Sequence, residues 1–359
     1  MKKIIEPIAA MTALIICLWA VICPLSVRAE GFFIKGDVNG DGAFDSADLE
    51  ALQKWLLAAP YAEPVDPRAA DLCRDGVTDV FDLTAMRRKL NGSPQTVKIS
   101  SPYCKAAAFG CINNGELLYS ENINEPVAPA SLAKLLTASV ALKYLSADTV
   151  ITVGSEQSLV NPGSSLCLIQ RGHRVKLYDL LTGMLMASGN DAAYTVAVSA
   201  ARAAAPDKEM NDSQAVEYFV ELMNEYASSI GMDSSNFVNP DGWDDSGQYT
   251  TVSDLMKLAA HAYSVTEIKE ITKTSRKNVV FASGENASWT NTNQLLDRNS
   301  SYFCAEAVGM KTGTTVSAGN CLIAIFVRSG RTYISVVTGC ESGNDRYELT
   351  WKLLSAYAP

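Results

Sequence analysis

A serine and a lysine three residues apart, Ser131 and Lys134, are the first pair whose types and spacing could do chemistry. They begin a predicted helix, and an i, i+3 spacing brings two side chains onto one helix face. A serine hydroxyl is a weak nucleophile until a neighbour removes its proton, and a lysine in a dry, positively charged pocket can act as that base. The pattern alone is also typical of an N-cap serine beside a solvated lysine.

Two further motifs follow in the order of one class of serine enzyme. Ser188-Gly189-Asn190 supplies an S-x-N element, and Lys311-Thr312-Gly313-Thr314 supplies K-T-G followed by threonine. S-x-x-K, S-x-N and K-T-G together are typical of the serine enzymes that recognise penicillin. The three elements therefore indicate acyl transfer through a serine.

With these motifs, residues 100–359 resemble the D-alanyl-D-alanine carboxypeptidase family of low-molecular-mass penicillin-binding proteins. Further matching segments lie at 179–193, 237–243, 249–255, 291–296 and 318–321. The resemblance implies a serine-type carboxypeptidase that acts on peptidoglycan stem peptides. β-Lactams would be its covalent inhibitors, and catalysis would need no cofactor.

The resemblance also implies a role for each residue that handles the scissile bond. Ser131 would attack the carbonyl between the last two D-alanines, with Lys134 as its base. Ser188 would relay a proton to the leaving amine, and Asn190 would hydrogen-bond the substrate amide.

Residues of the third motif would bind the terminal carboxylate of the substrate. Lys311 would hold this carboxylate and raise the local positive potential, and Thr312, Gly313 and Thr314 would complete the carboxylate site. The backbone N–H groups of Ser131 and Thr314 would form the oxyanion hole.

The motifs leave some alternatives open. Carboxypeptidase, endopeptidase and transpeptidase action share one acyl-enzyme and differ in what attacks it. A catalytically inactive cell-wall-binding protein is a further alternative, although it would not need the intact motif residues. A class A β-lactamase would also need a Glu-x-x-Leu-Asn segment, which does not occur between Asn190 and Lys311.

Composition excludes other classes of function. A formal net charge of -9 offers no basic face that could release counterions from phosphate, so we expect no nucleic-acid partner. The chain has only two histidines, His173 and His261, which excludes an HEXXH zinc hydrolase. A Ser/His/Asp triad would need one of these two residues, and neither lies in a recognisable motif.

A predicted calcium loop precedes the catalytic motifs. In residues 37–48, oxygen-bearing side chains occupy the ligand positions of an EF-hand loop, and Gly42 stands where that loop turns sharply. Ca²⁺ takes roughly six to eight oxygen ligands, which include a backbone carbonyl. The predicted ligands are Asp37, Asn39, Asp41, the carbonyl of Ala43, Asp45 and Asp48.

A second loop, residues 71–82, repeats the pattern with Cys73 at one ligand position. Thiol is a poor calcium ligand, so we expect weaker binding there. Its predicted ligands are Asp71, Asp75, the carbonyl of Val77, Asp79 and Asp82.

Together the two loops resemble a type I dockerin, the module that attaches extracellular enzymes to cohesins on a scaffold protein. The resemblance covers residues 31–92 and implies a cohesin-bearing scaffold as partner. It places the cohesin-reading residues at Ser46-Ala47 and Val80-Phe81. For Val80 and Phe81 the alternative is ordinary core packing.

The predicted organisation begins with a signal peptide at residues 1–29, because two lysines precede a long apolar run and Val27-Arg28-Ala29 provides a cleavage site. An uncleaved anchor helix is the alternative. The dockerin-like module (31–92), a linker (93–97) and the DD-peptidase domain (98–359) follow. Export predicts an extracellular or cell-surface location.

Predicted hairpins at 105–120 and 321–340 flank predicted helices at 131–145, 177–203, 213–230 and 252–262. Strands at both ends favour an α+β domain of the β-lactamase/transpeptidase type, with an antiparallel sheet flanked by helices, behind a small all-α module of paired calcium loops. If Gly330-Arg331 forms the second turn, Cys321 faces Cys340 and the two could form a disulfide. Two buried thiols are the alternative.

Overall fold

The computed structural model describes residues 31–60, 62–92 and 103–358. The predicted signal peptide and linker lie outside these residues. Residues 31–92, the N-terminal module, form one short strand and three helices: β1 (Phe33–Ile34), α1 (Ser46–Leu56), α2 (Pro67–Ala70) and α3 (Val80–Gly92).

Acidic residues of the two loops also cap the helices that follow. Asp45 accepts a hydrogen bond from the N–H of Ala47, and Asp48 accepts one from the N–H of Asp45, which forms a capping box at α1. Asp79 and Asp82 repeat the arrangement at α3. A small apolar core joins the helices and is formed by Val38, Leu52, Ala69, Ala70 and Met86.

Residues 103–358, the C-terminal unit, combine strands at both ends with helices between them. The strands are β2 (Ala106–Cys111), β3 (Glu116–Glu121), β4 (Val150–Thr152), β5 (Arg174–Lys176), β6 (Arg276–Val280), β7 (Asn286–Thr290), β8 (Ala307–Thr315), β9 (Gly319–Arg328) and β10 (Arg331–Cys340). The helices are α4 (Lys134–Tyr144), α5 (Leu177–Met186), α6 (Asn190–Ala204), α7 (Asp212–Ser229), α8 (Val252–Ser264), α9 (Thr266–Thr272) and α10 (Asp345–Tyr357).

The main sheet has the strand order β1-β3-β2-β10-β9-β8. Its pairs are antiparallel except that β1 runs parallel to β3, where the N–H of Phe33 donates to the carbonyl of Gly115 at 2.9 Å. Alternate residues of the strands enter two separate cores. One core contains the helices α4 to α9, and the other contains α10 on the opposite face. The predicted α+β class and the sheet flanked by helices are confirmed.

The predicted helix at 177–203 is in fact two helices. Ser188 has a positive φ of 61°, so the chain leaves α5 and re-enters a helix as α6. This break turns the S-x-N residues toward the interior. Among the described residues, no helix is both long and apolar enough to cross a membrane.

The predicted disulfide between Cys321 and Cys340 is wrong. The hairpin turns at Ser329-Gly330, where both residues have positive φ, so Arg331 pairs with Arg328 and the register differs from the expected one. An irregularity between 337 and 340 then places Cys340 opposite Asn320. Cys340 is instead bonded to Cys104, and Cys321 is a buried thiol.

Candidate active site

Ser131 lies in a turn of 3-10 helix, Ala130–Ala133, directly before α4. Lys134 is the first residue of α4, and its Nζ donates to Ser131 Oγ at 2.8 Å and to the carbonyl of Asp241 at 2.6 Å. Ser131 is partly exposed, whereas Lys134 is fully buried. The arrangement places a buried amine against a reachable hydroxyl.

Burial lowers the pKa of Lys134 to about 8, because the ammonium form has lost its water; the carboxylates of Asp241 and Asp191 act in the opposite direction. Burial, together with the charges of Lys134 and Arg346, holds the pKa of Lys311 well below its usual range. Lys134 can therefore lose its proton in mildly alkaline solution and accept the proton of Ser131.

The third motif lies on the edge strand β8, which passes beside the nucleophile. A Cβ on Gly313 would lie 2.9 Å from Ala130 Cβ and 3.2 Å from the backbone nitrogen of Ser131, so glycine permits this close approach. Lys311 is fully buried and donates to the carbonyl of Thr312 at 2.9 Å. The hydroxyl of Thr312 bonds to that of Thr292.

Asn190 starts α6 and lines the same cavity as Ser131. Its Nδ2 donates to Ser164 Oγ at 3.0 Å and to Asp241 Oδ2 at 2.5 Å. Ser188 is buried in the turn before α6. The helix break thus brings Asn190 from a distant part of the chain to the nucleophile.

A cavity of about 280 Å³ opens beside the Ser131 hydroxyl. Ser131, Asn190 and Thr314 line it, while Lys134 and Lys311 are buried behind its wall. Ser188, Thr312 and Gly313 are not among its lining residues. The remaining lining comes from Thr315 at the end of β8 and from loop residues: Gly163, Ser164, Ser165, Asp241, Gly242, Trp243, Asp244 and Val316.

Sequence analysis missed two charged residues of the site. Asp241 contacts Lys134 and Asn190; it lies in the matching segment 237–243, which was the available signal. Arg346 of α10 reaches the hydroxyl of Thr314 at 3.3 Å and the carbonyl of Gly313 at 3.4 Å, and no motif marks it. The two histidines bond elsewhere, His173 to Gln170 and His261 to Tyr226.

The two acidic loops of the N-terminal module carry oxygen donors, which suit a hard cation, except at Cys73 in the second loop. The N–H groups of Gly40 and Gly42 donate hydrogen bonds to the Asp37 carboxylate, and the N–H of Val38 donates to the Asp48 carboxylate. The first loop therefore wraps around these two buried carboxylates. In the part of the chain that the structure describes, no three acidic, histidine or cysteine side chains are gathered closely enough to hold a metal ion. The first loop nevertheless fits Ca²⁺ by its all-oxygen donor set.

A serine bonded to a buried lysine, beside an edge strand that carries K-T-G, is the arrangement typical of serine enzymes with the transpeptidase-like fold. The family model described as D-alanyl-D-alanine carboxypeptidase matches residues 103–342. The chain belongs to this family of serine peptidases. A second model, the dockerin type I domain, matches residues 35–91.

Individual relatives agree with this assignment. The D-alanyl-D-alanine carboxypeptidase DacC of Escherichia coli is 32% identical over 271 residues, which are 73% of this chain and 62% of that protein. The D-alanyl-D-alanine carboxypeptidase of Streptomyces sp. strain K15 is 31% identical over 268 residues, which are 70% of this chain and 87% of that protein. The chain thus spans somewhat less than two thirds of the first of these relatives.

Solved structures show the same fold. The crystal structure of the Streptomyces K15 DD-transpeptidase has a TM-score of 0.65 and 26% identity, with 72% of this chain and 97% of that chain covered. Penicillin-binding protein D2 of Listeria monocytogenes, in an ampicillin-bound form, has a TM-score of 0.58 and 29% identity, with 71% and 97% covered.

Proposed function

We propose that this protein is a serine-type D-Ala-D-Ala carboxypeptidase that shortens peptidoglycan stem peptides through an acyl-enzyme at Ser131. The observation that carries the proposal is the 2.8 Å contact between the buried Lys134 amine and the Ser131 hydroxyl at the wall of a cavity. Membership of the carboxypeptidase family supports the choice of substrate.

In the proposed reaction, Ser131 Oγ adds to the carbonyl carbon of the penultimate D-alanine while its proton moves to neutral Lys134. The bond to the last D-alanine then breaks, and the proton passes through the Ser188 hydroxyl to the leaving amine. Water attacks the resulting ester, and its proton returns to Ser131 Oγ by way of Lys134. Asn190 holds the substrate amide in place during these steps.

Charge stabilisation falls to the residues around β8. The N–H groups of Ser131 and Thr314 would hold the oxyanion. Lys311, with Thr312, Gly313 and Thr314, would form the site of the terminal carboxylate. Arg346 adds a permanent positive charge beside Thr314, which favours the same anion.

Mass spectrometry of the products from two defined substrates tests this function. We expect release of one D-alanine from a pentapeptide stem and no cleavage of a cross-linked muropeptide. Cleavage of the cross-link would identify an endopeptidase, and transfer of the acyl group to an added amine would identify a transpeptidase. The absence of any product would favour the cell-wall-binding alternative.

We also propose that the N-terminal module binds Ca²⁺ and attaches the enzyme to a cohesin. The carboxylates of the first loop, with the Ala43 carbonyl, would hold one ion, and Asp71, Asp75, Asp79, Asp82 and the Val77 carbonyl would hold a second more weakly. Calcium would neutralise the loop carboxylates and stabilise the helices that follow. Val80 and Phe81 are 60% and 67% exposed, which favours a contact surface over core packing.

A binding assay of the full chain against a panel of type I cohesins tests the attachment. We expect calcium-dependent binding that Phe81→Asp weakens. Equal binding with chelator would contradict the role of calcium. The division into residues 31–92 and 98–359, and an extracellular or cell-surface location, belong to the same proposal and follow from the module and the cell-wall substrate.

A further inference from the structure

Asp241 is a buried acid of the active site for which the proposed reaction has no role. It is 1% exposed and lies in the loop between α7 and α8. Its carbonyl accepts from Lys134 Nζ at 2.6 Å, its Oδ2 accepts from Asn190 Nδ2 at 2.5 Å, and its Oδ1 accepts from the N–H of Trp243 at 3.2 Å. One residue thus contacts both the base and the amide of the site.

The contact with Asn190 determines which end of its amide faces the substrate. Both hydrogens of Nδ2 have acceptors, Asp241 Oδ2 and Ser164 Oγ. A carboxylate can only accept hydrogen bonds, so it selects the NH₂ end of the amide. The amide oxygen of Asn190 is therefore left for the cavity, where it can accept a hydrogen bond from a substrate N–H.

The Asp241 carboxylate also affects the charge of Lys134. Of the charged groups around Lys134, Asp241 raises its pKa most, ahead of Asp191 and Cys167, while burial lowers it. Lys311 faces Lys134 from β8 with a like charge.

The net effect of its surroundings is to raise the pKa of the Asp241 carboxyl above its ordinary value, with burial as the largest cause. Burial raises the pKa of Asp241, whereas Lys134 and the N–H of Trp243 lower it. Tyr194 is the other titratable group that its charge reaches. N–H donors on both oxygens suit the carboxylate.

We propose that Asp241 is a positioning residue of the reaction: its carboxylate fixes the orientation of the Asn190 amide and holds positive charge on Lys134 beside Ser131. The inference rests on the proposed roles of Ser131, Lys134 and Asn190. It predicts two opposing effects of Asp241 on the rate of acylation. The carboxylate holds the Asn190 amide in one orientation, which favours the reaction, but it also raises the pH at which Lys134 loses its proton and can act as a base.

Asp241→Asn tests the proposal, because it keeps the shape of the side chain and the backbone carbonyl but removes the charge. The rate constant for acylation by a fluorescent penicillin is measured from pH 5.5 to 10. We expect the rising limb of the profile to move down by about one pH unit, since loss of a nearby opposite charge shifts a pKa by roughly that amount. The plateau rate should fall severalfold, because the Asn190 amide is then free to turn over.

Asp233→Asn, in the turn after α7, removes one exposed carboxylate and serves as the matched control; its profile should coincide with that of the parent. If the rising limb of the pH profile of Asp241→Asn coincides with that of the parent protein, the inference is overturned, even if the plateau rate of the variant is lower. If Asp241→Asn fails to fold, as shown by circular dichroism, Asp241→Glu replaces it and should leave the limb near that of the parent. A limb displaced downward in Asp241→Glu would then count against the proposal. Failure of the parent itself to be acylated would instead contradict the proposed function.

Discussion

Lys134 is the residue whose ionisation should control the rate. A base acts in its neutral form, and burial lowers the pKa of Lys134 to about 8. Below pH 8 the ammonium predominates, so the rate of acylation should rise about tenfold per pH unit up to that value and level off above it. Stopped-flow measurement of penicillin acylation from pH 6 to 10 checks this. A rate that is independent of pH between 6 and 8 would exclude Lys134 as the base.

The contacts of the site that could be predicted from the sequence are those between residues close together along the chain. Ser131 and Lys134 are neighbours on one helical turn, so their spacing was enough to predict the 2.8 Å contact. Asp241 meets Lys134 across 107 residues of sequence and Arg346 meets Thr314 across 32. Such contacts depend on the packing of loops and on α10, which the spacing of one element does not define.

At the scale of elements, a glycine turn supports the turn of 3-10 helix that carries Ser131. Gly242 has a φ of +83°, and a Cβ there would lie 1.8 Å from the carbonyl oxygen of Ala130. Gly242→Ala must therefore displace the backbone next to Ser131. We expect penicillin acylation to slow by more than tenfold in this variant, and its melting temperature to fall.

Gly231→Ala is the matched control for this prediction. Gly231 has nearly the same φ, +82°, but a Cβ there meets only the flexible end of Lys257 at 3.8 Å. It should cost about 1 kcal/mol of stability through its backbone conformation and leave acylation unchanged. Equal acylation rates in the two variants would show that Gly242 does not support the nucleophile.

Element boundaries show where sequence reasoning reached its limit. The hairpins and the paired loop-helix units were predicted because turn residues and ligand spacing are local signals. Two features were not: the break at Ser188 and the exact turn at Ser329-Gly330. In both places a residue other than glycine adopts a positive φ, which local propensity disfavours, and tertiary packing decides. A difference of one residue in the turn was enough to invalidate the predicted disulfide.

At the scale of the whole molecule, the module and the site occupy opposite edges of one sheet. The module contributes β1 at one edge, and β8 with its K-T-G residues forms the other. Five strand spacings of about 4.8 Å separate these edges by roughly 24 Å. Sequence predicted two units but gave no sign that Phe33–Ile34 would join the sheet of the second.

Calcium removal tests whether the acylation rate is independent of the folded state of the N-terminal module. With a chelator, the helical circular dichroism of α1 and α3 should fall, because the loop carboxylates then repel one another without a cation. The acylation rate should stay within about twofold of its starting value, because no motif residue lies in residues 31–92. Added calcium should restore the signal. Loss of acylation together with helicity would mean that β1 transmits the state of the module across the sheet.

The most direct test of the central claim is intact-mass spectrometry of the protein after incubation with benzylpenicillin, followed by peptide mapping. A β-lactam presents a strained acyl group to the same nucleophile, so we expect one adduct, on the peptide that contains Ser131. Ser131→Ala should carry none, while Ser139→Ala, which alters a hydroxyl bonded to Leu135 within α4, should be labelled like the parent. An adduct that persists in Ser131→Ala, or a parent protein that is never acylated, would contradict the assignment of Ser131 as the nucleophile.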